Sequence, residues 1–421
     1  MVSSRIRAGL IGTVTAAALL SGATATAQKV LGNCLYLNGG KNIVLMPGST
    51  SLIPVVMFLG AKLAKIGTPY RLVYFPMASC DALGRVNGAQ SLSQTAQIYD
   101  EDPNDPSKIV TSSCTIDGAV PIDLAIGDTF YESCGMGAAR SSWLGDFQGP
   151  QQAFVFVVPR SSQYTTYITA EEAHNVWGCG SKGQVLPYVD DNFIYSYAEI
   201  TGGAYGAQII IGKAINLVSF TGNLGMTSHA QTGDQGVADG VASSTSPDKT
   251  IGFLSAEVYD QNRFQLKALA FRGFRQTMAY LPDSDSSKFD KRNLRDGHYT
   301  VQAPMHMWTS TNPDGSVVRP LARKVIDWMQ GNAVAPEDQL PFDINDVYAQ
   351  AGVVPKCAMK VMRTLDGGLF SPYVPEKPPC GCYFESKATG EAVPPGCVTC
   401  TDNGGCNNGQ ICSHGFCEPS W

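Results

Sequence analysis

Residues 120–133 read VPIDLAIGDTFYES, and this stretch decides how the rest of the chain is interpreted. Apolar residues alternate with other residues from Val120 to Ile126, a pattern typical of a buried β-strand. Asp128 follows at the position where that strand should end. An acid at the carboxyl end of a buried strand faces the ligand crevice of an open α/β sheet, although Asp also often caps a turn. The segment by itself leaves both interpretations open.

The composition is that of a globular protein with a lightly charged surface. The chain has 421 residues, of which 44% are hydrophobic and 16% charged. That length is enough for two or three domains with a sizeable core. The formal net charge is -6 and the basic residues form no run. Neither nucleic acid nor anionic lipid is therefore expected as a partner.

Residues 1–27 read as a secretory signal peptide. Arg5 and Arg7 precede an apolar run over residues 8–20, and small residues at 25–27 form a cleavage site. The apolar run is short for a membrane helix, and no later stretch is apolar enough to cross a bilayer. We expect an exported protein, periplasmic, secreted or at the cell surface, with no transmembrane segment in the mature chain.

Two strand-turn-helix units precede the quoted stretch. In the first, an apolar strand over residues 43–45 leads into a turn that contains Thr50 and Ser51, and a helix follows. In the second, a strand over residues 70–75 leads to Ser79 and another helix. Such turns present free N–H groups and hydroxyls to an anion, and the alternative interpretation is an ordinary helix N-cap. With parallel strands, both turns meet the end of the quoted stretch at one sheet edge.

Further elements are predicted along the rest of the chain. Thr169 and Glu172 have the spacing of a capping box at a helix start. Another helix begins at Ala207 after a glycine-rich segment, and its first turn with Gly206 is a candidate anion-facing terminus. The remaining predictions are strands over 154–158 and 251–254, a loop region over 231–249, a hydrogen-bonded structural loop over 289–299, and helices over 321–329 and 344–351.

The sequence has no catalytic signature. It contains no serine elbow, no zinc-binding HExxH motif and no matched pair of acids, and the spacing from Gly206 to Lys213 is not that of a nucleotide-binding P-loop. We therefore expect no enzymatic activity, no cofactor and no metal site.

Taken together, these motifs resemble those of phosphate-type periplasmic binding proteins, the solute-binding components of ABC importers. The resemblance covers roughly residues 30–350. It implies a mixed α/β fold of two lobes that close over a ligand. It also implies that Thr50, the Ser51 backbone and Ser79 bind oxygens of the anion, and that Asp128 accepts the proton of a bound hydrogen phosphate.

The resemblance also implies a division of the chain. The first lobe takes residues 28–157 and the second lobe 158–252. The chain then returns to the first lobe over residues 253–375. Hinges are expected near Pro159 and Ile251.

One departure from the family pattern affects the ligand. Where the family has Arg-x-x-x-Ser-Gly-Thr, this chain has the sequence TGGAYGA over residues 201–207, so the arginine and both hydroxyl positions are absent. Each charge-assisted bond to an anion contributes about 1.5–3 kcal/mol, so their loss weakens phosphate binding unless Arg71 or Arg160 compensates. The alternative function is a surface or extracellular interaction protein that kept the fold and lost the ligand.

Residues 376–421 form a cysteine-rich tail. Seven of the thirteen cysteines lie between Cys380 and Cys417, among Gly, Asn and Asp. In an exported chain this spacing favours disulfides over zinc, and so small a module needs such cross-links. Cys357 gives the tail an even number and is a candidate bridge to the body. Cys114 with Cys134 is the preferred pair among the other cysteines.

Overall fold

The computed structural model describes most of the chain beyond the expected signal peptide. The described residues are 29–40, 42–86, 95–135, 140–163, 166–179, 194–198, 205–217, 227–231 and 233–420. No helix among them is long and apolar enough to span a bilayer.

The chain folds into a mixed α/β structure built on one large twisted sheet. Its strands are β1 (Lys29–Asn33), β2 (Ile43–Ser49), β3 (Arg71–Met77), β4 (Thr95–Asp102), β5 (Asp105–Thr115), β6 (Ala125–Gly127), β7 (Leu144–Pro159), β8 (Tyr167–Thr169), β9 (Ile194–Ala198), β10 (Thr227–Gln231), β11 (Thr250–Ser255), β12 (Leu266–Arg272) and β13 (Gln302–Ser310). Two small hairpins add β14 (Val361–Met362), β15 (Ser371–Pro372), β16 (Gln410–Ser413) and β17 (Phe416–Pro419). The helices are α1 (Ile53–Lys65), α2 (Ser79–Val86), α3 (Ala170–Cys179), α4 (Gly206–Ala214), α5 (Gly233–Ala242), α6 (Ala256–Asn262), α7 (Arg292–Arg295), α8 (Pro320–Gln330), α9 (Ile344–Ala351) and α10 (Gly381–Thr389).

The first half of the molecule contains the two strand-turn-helix units predicted from the sequence. Strand β2 pairs in parallel with both β3 and β6, and β4 and β5 extend the sheet beyond β3. Helix α1 follows β2 because its apolar residues recur at helical spacing, and its Val55, Val56 and Leu59 are fully buried. Parallel pairing brings the carboxyl ends of β2, β3 and β6 to one edge, as the sequence predicts.

Strand β7 belongs to both halves of the molecule. Its residues 144–153 pair with β13 of the first half. Its residues 154–159 pair with β11 and β12 of the second half. The change of partner therefore falls between Ala153 and Phe154, whereas the lobe boundary expected from the sequence lies after residue 157 and stays a prediction.

The second half repeats the parallel arrangement. Strand β9 pairs in parallel with β10 and β11. Helix α3 begins with the predicted capping box, since Glu172 N–H donates to Thr169 Oγ1 at 3.1 Å and Thr169 N–H donates to Glu172 Oε2 at 2.8 Å. The carboxyl ends of β10 and β11 lie at one edge, where α5 and α6 begin.

Two predictions of secondary structure are wrong. The segment over 231–249 is not a loop region, because α5 occupies Gly233–Ala242 and buries Val237 and Val241 on one face. The quoted strand is also much shorter than its alternating pattern indicates. Only Ala125–Gly127 is β-strand, and the residues before it bond irregularly to Leu45, whose N–H donates to Asp123 Oδ2 at 2.9 Å.

The disulfide predicted within the body is wrong, whereas the predicted bridge from the body to the tail is present. Cys114 bonds to Cys34, and Cys134 bonds to Cys80, so the predicted Cys114–Cys134 pair is wrong. Cys357 does bridge the body to the tail. The tail disulfides are Cys357–Cys380, Cys382–Cys397, Cys400–Cys412 and Cys406–Cys417.

The tail is docked on both halves through α10. Phe384 is fully buried in the core cluster of the second half. Glu385 accepts a 3.0 Å hydrogen bond from Arg295 of α7. On its other side, Tyr383 donates to Asp346 of α9 at 2.7 Å, and α9 packs in the core of the first half. Helix α10 is therefore an integral part of the fold, held by packing as well as by disulfides.

Truncation of the buried tail residue should destabilise the whole protein. We expect Phe384→Ala to lower the free energy of unfolding by about 3–5 kcal/mol, because it leaves a cavity under α10. Urea denaturation followed by tryptophan fluorescence measures this change. Val393→Ala, in an exposed part of the tail, is the control and should change stability by less than about 0.5 kcal/mol. Equal, small effects of both variants would contradict the docking.

Candidate functional site between the two halves

A buried carboxylate lies at the edge where β2, β3 and β6 end. Asp128 follows β6 and is inaccessible to solvent. Ser49, the last residue of β2, donates its hydroxyl proton to Asp128 Oδ2 at 2.7 Å. Ser79, the first residue of α2, donates to Asp128 Oδ1. Each of the three parallel strands thus contributes one residue to this site.

Close packing around Asp128 explains why positions 48 and 127 are glycines. A Cβ atom on Gly127 would overlap the indole ring of the buried Trp308, which pairs through β13 with β6. No side chain therefore fits at position 127. A Cβ atom on Gly48 would overlap Ile126 in the same way. Close packing of β2, β6 and β13 requires both glycines.

The second half covers the carboxylate with the first turn of α4. Gly206 begins this helix and lies so close to Asp128 that any side chain at position 206 would overlap Asp128 Oδ1. The amino end of a helix carries partial positive charge and stabilises a nearby carboxylate. The helix start predicted to face an anion is thus in contact with the carboxylate of Asp128.

A second carboxyl group comes from the start of α5. Asp234 is 1% exposed, and its Oδ2 accepts a 2.8 Å hydrogen bond from the N–H of Ser255 at the end of β11. Ser51 lies between Asp128 and Asp234, and its hydroxyl lowers the pKa of both carboxyls without meeting the geometry of a hydrogen bond to either. Gly233, next to Asp234, approaches Thr50 in the first half. The carboxyl edges of the two half-sheets therefore face each other here.

Several buried polar atoms at this place have no hydrogen-bond partner among the described residues. They are Thr50 Oγ1, Ser51 Oγ, Tyr205 Oη, Ser255 Oγ and Asp234 Oδ1. We call the first four of these groups the cleft hydroxyls. Buried polar atoms are nearly always hydrogen-bonded in folded proteins, because leaving one unpaired costs about 1–3 kcal/mol. A group of such atoms, supplied by both halves, indicates a place built to hold a polar ligand.

Strand β7, which pairs with both halves, contributes two side-chain amides beside this site. Gln152 Nε2 donates to the Ser51 carbonyl at 3.2 Å and to Glu257 Oε2 at 3.1 Å. Gln152 therefore links the first half, the shared strand β7 and the start of α6. Its neighbour Gln151 is also fully buried, and its amide atoms have no partner in the described part of the chain.

The site is acidic, and burial raises the pKa of each of its carboxyl groups. Burial raises the pKa of Asp128, and hydrogen bonds from Ser79 and Ser49 oppose this shift. Burial also raises the pKa of Asp234, with a further contribution from the charge of Asp128. Burial raises the pKa of Glu257 well above its ordinary value. The largest contributions at Asp128 and Asp234 involve no arginine or lysine.

The two arginines that could replace the missing family arginine have other surroundings in the structure. Arg71 forms an ion pair with Asp100 on the neighbouring strand β4. Arg160 is exposed beyond the end of β7, near Lys267, whose pKa is lowered first by burial and then by the charge of Arg160. Neither position supports the compensation of charge by Arg71 or Arg160 that the sequence leaves open.

The six residues proposed from the sequence lie together in the structure. Thr50, Ser51, Ser79 and Asp128 come from the first half, and Gly206 and Ala207 from the second. Residues 201–204, part of the segment that differs from the family motif, lie outside the described residues. That the six bind a ligand stays a prediction.

Four polar residues of the site are missing from the sequence prediction: Ser49, Tyr205, Asp234 and Ser255. Ser49 and Ser255 are the last residues of β2 and β11, the position already used to select Ser79 and Asp128. Asp234 was overlooked because its helix was predicted as a loop region. Tyr205 precedes α4 and has no distinguishing local pattern.

The mixed α/β fold in two halves, predicted from the sequence, is confirmed by this strand order. No family model matches the chain, and no curated protein matches it. Among solved structures, it is similar to an ABC-type phosphate transport receptor from Vibrio cholerae, with 12% identity and a TM-score of 0.47 over 74% of this chain and 99% of that one. PstS from Borrelia burgdorferi gives 13% identity and a TM-score of 0.37 over 75% and 99%.

The structure matches also include a protein of another kind. The CcmR regulatory domain of Synechocystis PCC6803, solved in complex with 2-PG, gives 9% identity and a TM-score of 0.37 over 68% of this chain and 95% of that one. Likeness this distant says nothing about what this chain binds. The nature of the ligand has to be argued from the site itself.

The contact between Gly206 and Asp128 predicts that the closed arrangement depends on glycine. In Gly206→Ala the added methyl group would overlap Asp128 Oδ1, so the halves should be held apart. Small-angle X-ray scattering should show a larger radius of gyration than for the unaltered protein. Gly60→Ala on α1 is the control, because its methyl group would meet no atom closer than 3.6 Å. An unchanged radius for Gly206→Ala would contradict the contact.

Proposed function

We propose that this chain is an extracytoplasmic solute-binding protein that encloses a small oxyanion between its two halves, with phosphate as the first candidate. The observation that carries the proposal is the group of cleft hydroxyls, buried and unpartnered within the described residues, beside Asp128. The oxygens of a tetrahedral oxyanion accept hydrogen bonds from such hydroxyls, which relieves the cost of leaving them unpaired.

In this proposal each part of the site has a defined role. Thr50 and Ser51 donate to the ligand from the first half, and Tyr205 and Ser255 donate from the second. Backbone N–H groups in the first turn of α4, at Gly206 and Ala207, add partial positive charge. Asp128 accepts the hydroxyl proton of hydrogen phosphate. Sulfate carries no proton at neutral pH and would face the carboxylate without a hydrogen bond.

The fold supplies the motion that such a protein needs. The two edges that hold the site belong to different halves, and the halves share β7. Rotation about the point where β7 changes partner would open the cleft, and ligand binding would close it. The protein would then deliver its solute to a partner, an ABC importer in this proposal, without any covalent chemistry.

The disulfides support a location outside the cytoplasm. Six disulfides join twelve of the described cysteines. Such bonds persist in oxidising compartments and are rare in the cytosol. The signal peptide expected at residues 1–27 agrees with this location and is part of the proposal.

A second candidate function is favoured by the charge of the site. Neither Asp128 nor Asp234 has an arginine or lysine among its largest electrostatic partners. An interaction protein of the cell surface that kept the fold and lost phosphate binding would tolerate this arrangement. The docked tail would then be part of its outer surface.

Phosphate titration distinguishes the two functions. We expect isothermal titration of the oxidised protein to show phosphate binding and no sulfate binding. Asp128→Asn removes the charged acceptor for the ligand's hydroxyl, so the phosphate affinity should fall about 10- to 150-fold, the equivalent of about 1.5–3 kcal/mol. Asp117→Asn, an exposed residue on the segment that leads to β6, is the control and should bind as the unaltered protein does.

The opposite result would select the second function. If folded protein gives no heat with millimolar phosphate, the solute-binding proposal fails for this ligand. Equal affinities of Asp128→Asn and Asp117→Asn would show that phosphate binds elsewhere.

A further inference from the structure

Besides Asp128, which accepts a proton from phosphate in the proposed function, the site contains a second proton acceptor, Asp234. Asp234 Oδ2 accepts the N–H of Ser255, but its Oδ1 is buried and has no partner among the described residues. Asp234 belongs to the second half and Asp128 to the first. Ser51 lies between the two carboxyls. Closure therefore brings two acids together from opposite sides of the cleft.

Two buried carboxylates and an oxyanion repel one another unless protons lie between them. A buried charge is costly unless it is paired, and the largest interactions of Asp128 and Asp234 include no basic side chain. The closed site must therefore hold a proton opposite each carboxylate. Either the acids are protonated or the ligand brings hydroxyl groups that donate to them.

Dihydrogen phosphate meets this requirement. The monoanion has two hydroxyl groups and two further oxygens, whereas the dianion has one hydroxyl group. One hydroxyl would donate to Asp128 and the other to Asp234 Oδ1. The two remaining oxygens would accept from the cleft hydroxyls. The monoanion also carries one negative charge less into a site where, in the described part of the chain, no arginine or lysine is among the largest electrostatic partners of Asp128 or Asp234.

We propose, resting on the proposed phosphate-binding function, that Asp128 and Asp234 form a pair of proton acceptors, one from each half, which makes the site selective for the doubly protonated phosphate monoanion. Closure on phosphate is then linked to proton uptake at a pH where the dianion predominates in solution. The missing family arginine is consistent with this selection, since a monoanion needs less countercharge.

Other titratable groups surround the pair. They are Tyr74 on β3, Asp81 and Arg85 on α2, Tyr205 before α4, Glu257 on α6, and Asp366. Burial raises the pKa of Tyr74, Tyr205 and Glu257, so the two tyrosines stay neutral in the relevant range. Burial raises the pKa of Asp366 to about 6, so Asp366 titrates in the range of the experiment. It needs its own control.

Isothermal titration with phosphate between pH 6 and pH 8.5 tests the proposal. Above the pKa at which the monoanion loses its proton, the affinity of the unaltered protein should fall about tenfold per pH unit, since the fraction of monoanion falls in that proportion. Titrations at pH 8 in two buffers of different ionisation enthalpy should show uptake of about one proton per phosphate bound.

Three variants assign the effect to the acid pair. Asp234→Asn replaces one acceptor by an amide that also donates, so the dianion becomes acceptable and the decline of affinity with pH should flatten. Asp239→Asn, exposed on the same helix, should keep the full decline. Asp366→Asn should keep it as well, because Asp366 accepts a hydrogen bond from the backbone N–H of Phe130 at 2.9 Å and interacts with Asp128 only through its charge.

The outcomes separate this inference from the proposed function. Phosphate binding that is as tight at pH 8.5 as at pH 6, or that takes up no proton, would overturn the inference while leaving phosphate binding intact. The inference would also be overturned if the phosphate affinity of Asp366→Asn varied little with pH while that of Asp234→Asn kept its full decline. If Asp234→Asn does not fold, the proton count of the unaltered protein decides. Absence of binding at every pH would instead remove the proposed function.

Discussion

The structure depends on a carboxylate that is buried with no basic residue among its largest electrostatic partners in the described part of the chain. Asp128 is stabilised by hydroxyls from Ser49 and Ser79 and by the amino end of α4. These weak, directional interactions come from the ends of two neighbouring strands and from the other half of the molecule. They are satisfied together only when the halves are closed. The same closeness explains why positions 127 and 206 are glycines, since a Cβ atom at either would overlap a neighbour.

Two elements couple this site to the rest of the molecule. Strand β7 pairs with both half-sheets, and Gln152 on it contacts the Ser51 carbonyl and Glu257 across the cleft. Helix α10 of the tail contacts α7 on one side and α9 on the other. The tail is thus positioned to limit how far the halves separate. A protein with this construction would be stiffer than one in which β7 alone joins the two half-sheets.

The sequence predicts elements whose residues define them locally. The apolar spacing of α1, the capping box of α3 and the strand-turn-helix units around Ser79 all appear in the structure, because each depends on neighbours within a few residues. The prediction fails where distant contacts decide. Helix α5 has loop-like composition but buries Val237 against the second half. The pairing of Cys114 depends on where β1 and β5 meet, which no local pattern reveals.

By itself, the sequence determined that Thr50, Ser51, Ser79 and Asp128 lie at strand ends, and therefore at one edge of a parallel sheet. Only the tertiary structure decided what faces them. Asp234 and Ser255 lie more than a hundred residues further along the chain, and they reach Asp128 because β7 joins two half-sheets with their carboxyl edges opposed. Local periodicity fixes where a strand ends, but the partner across a cleft is fixed by long-range packing.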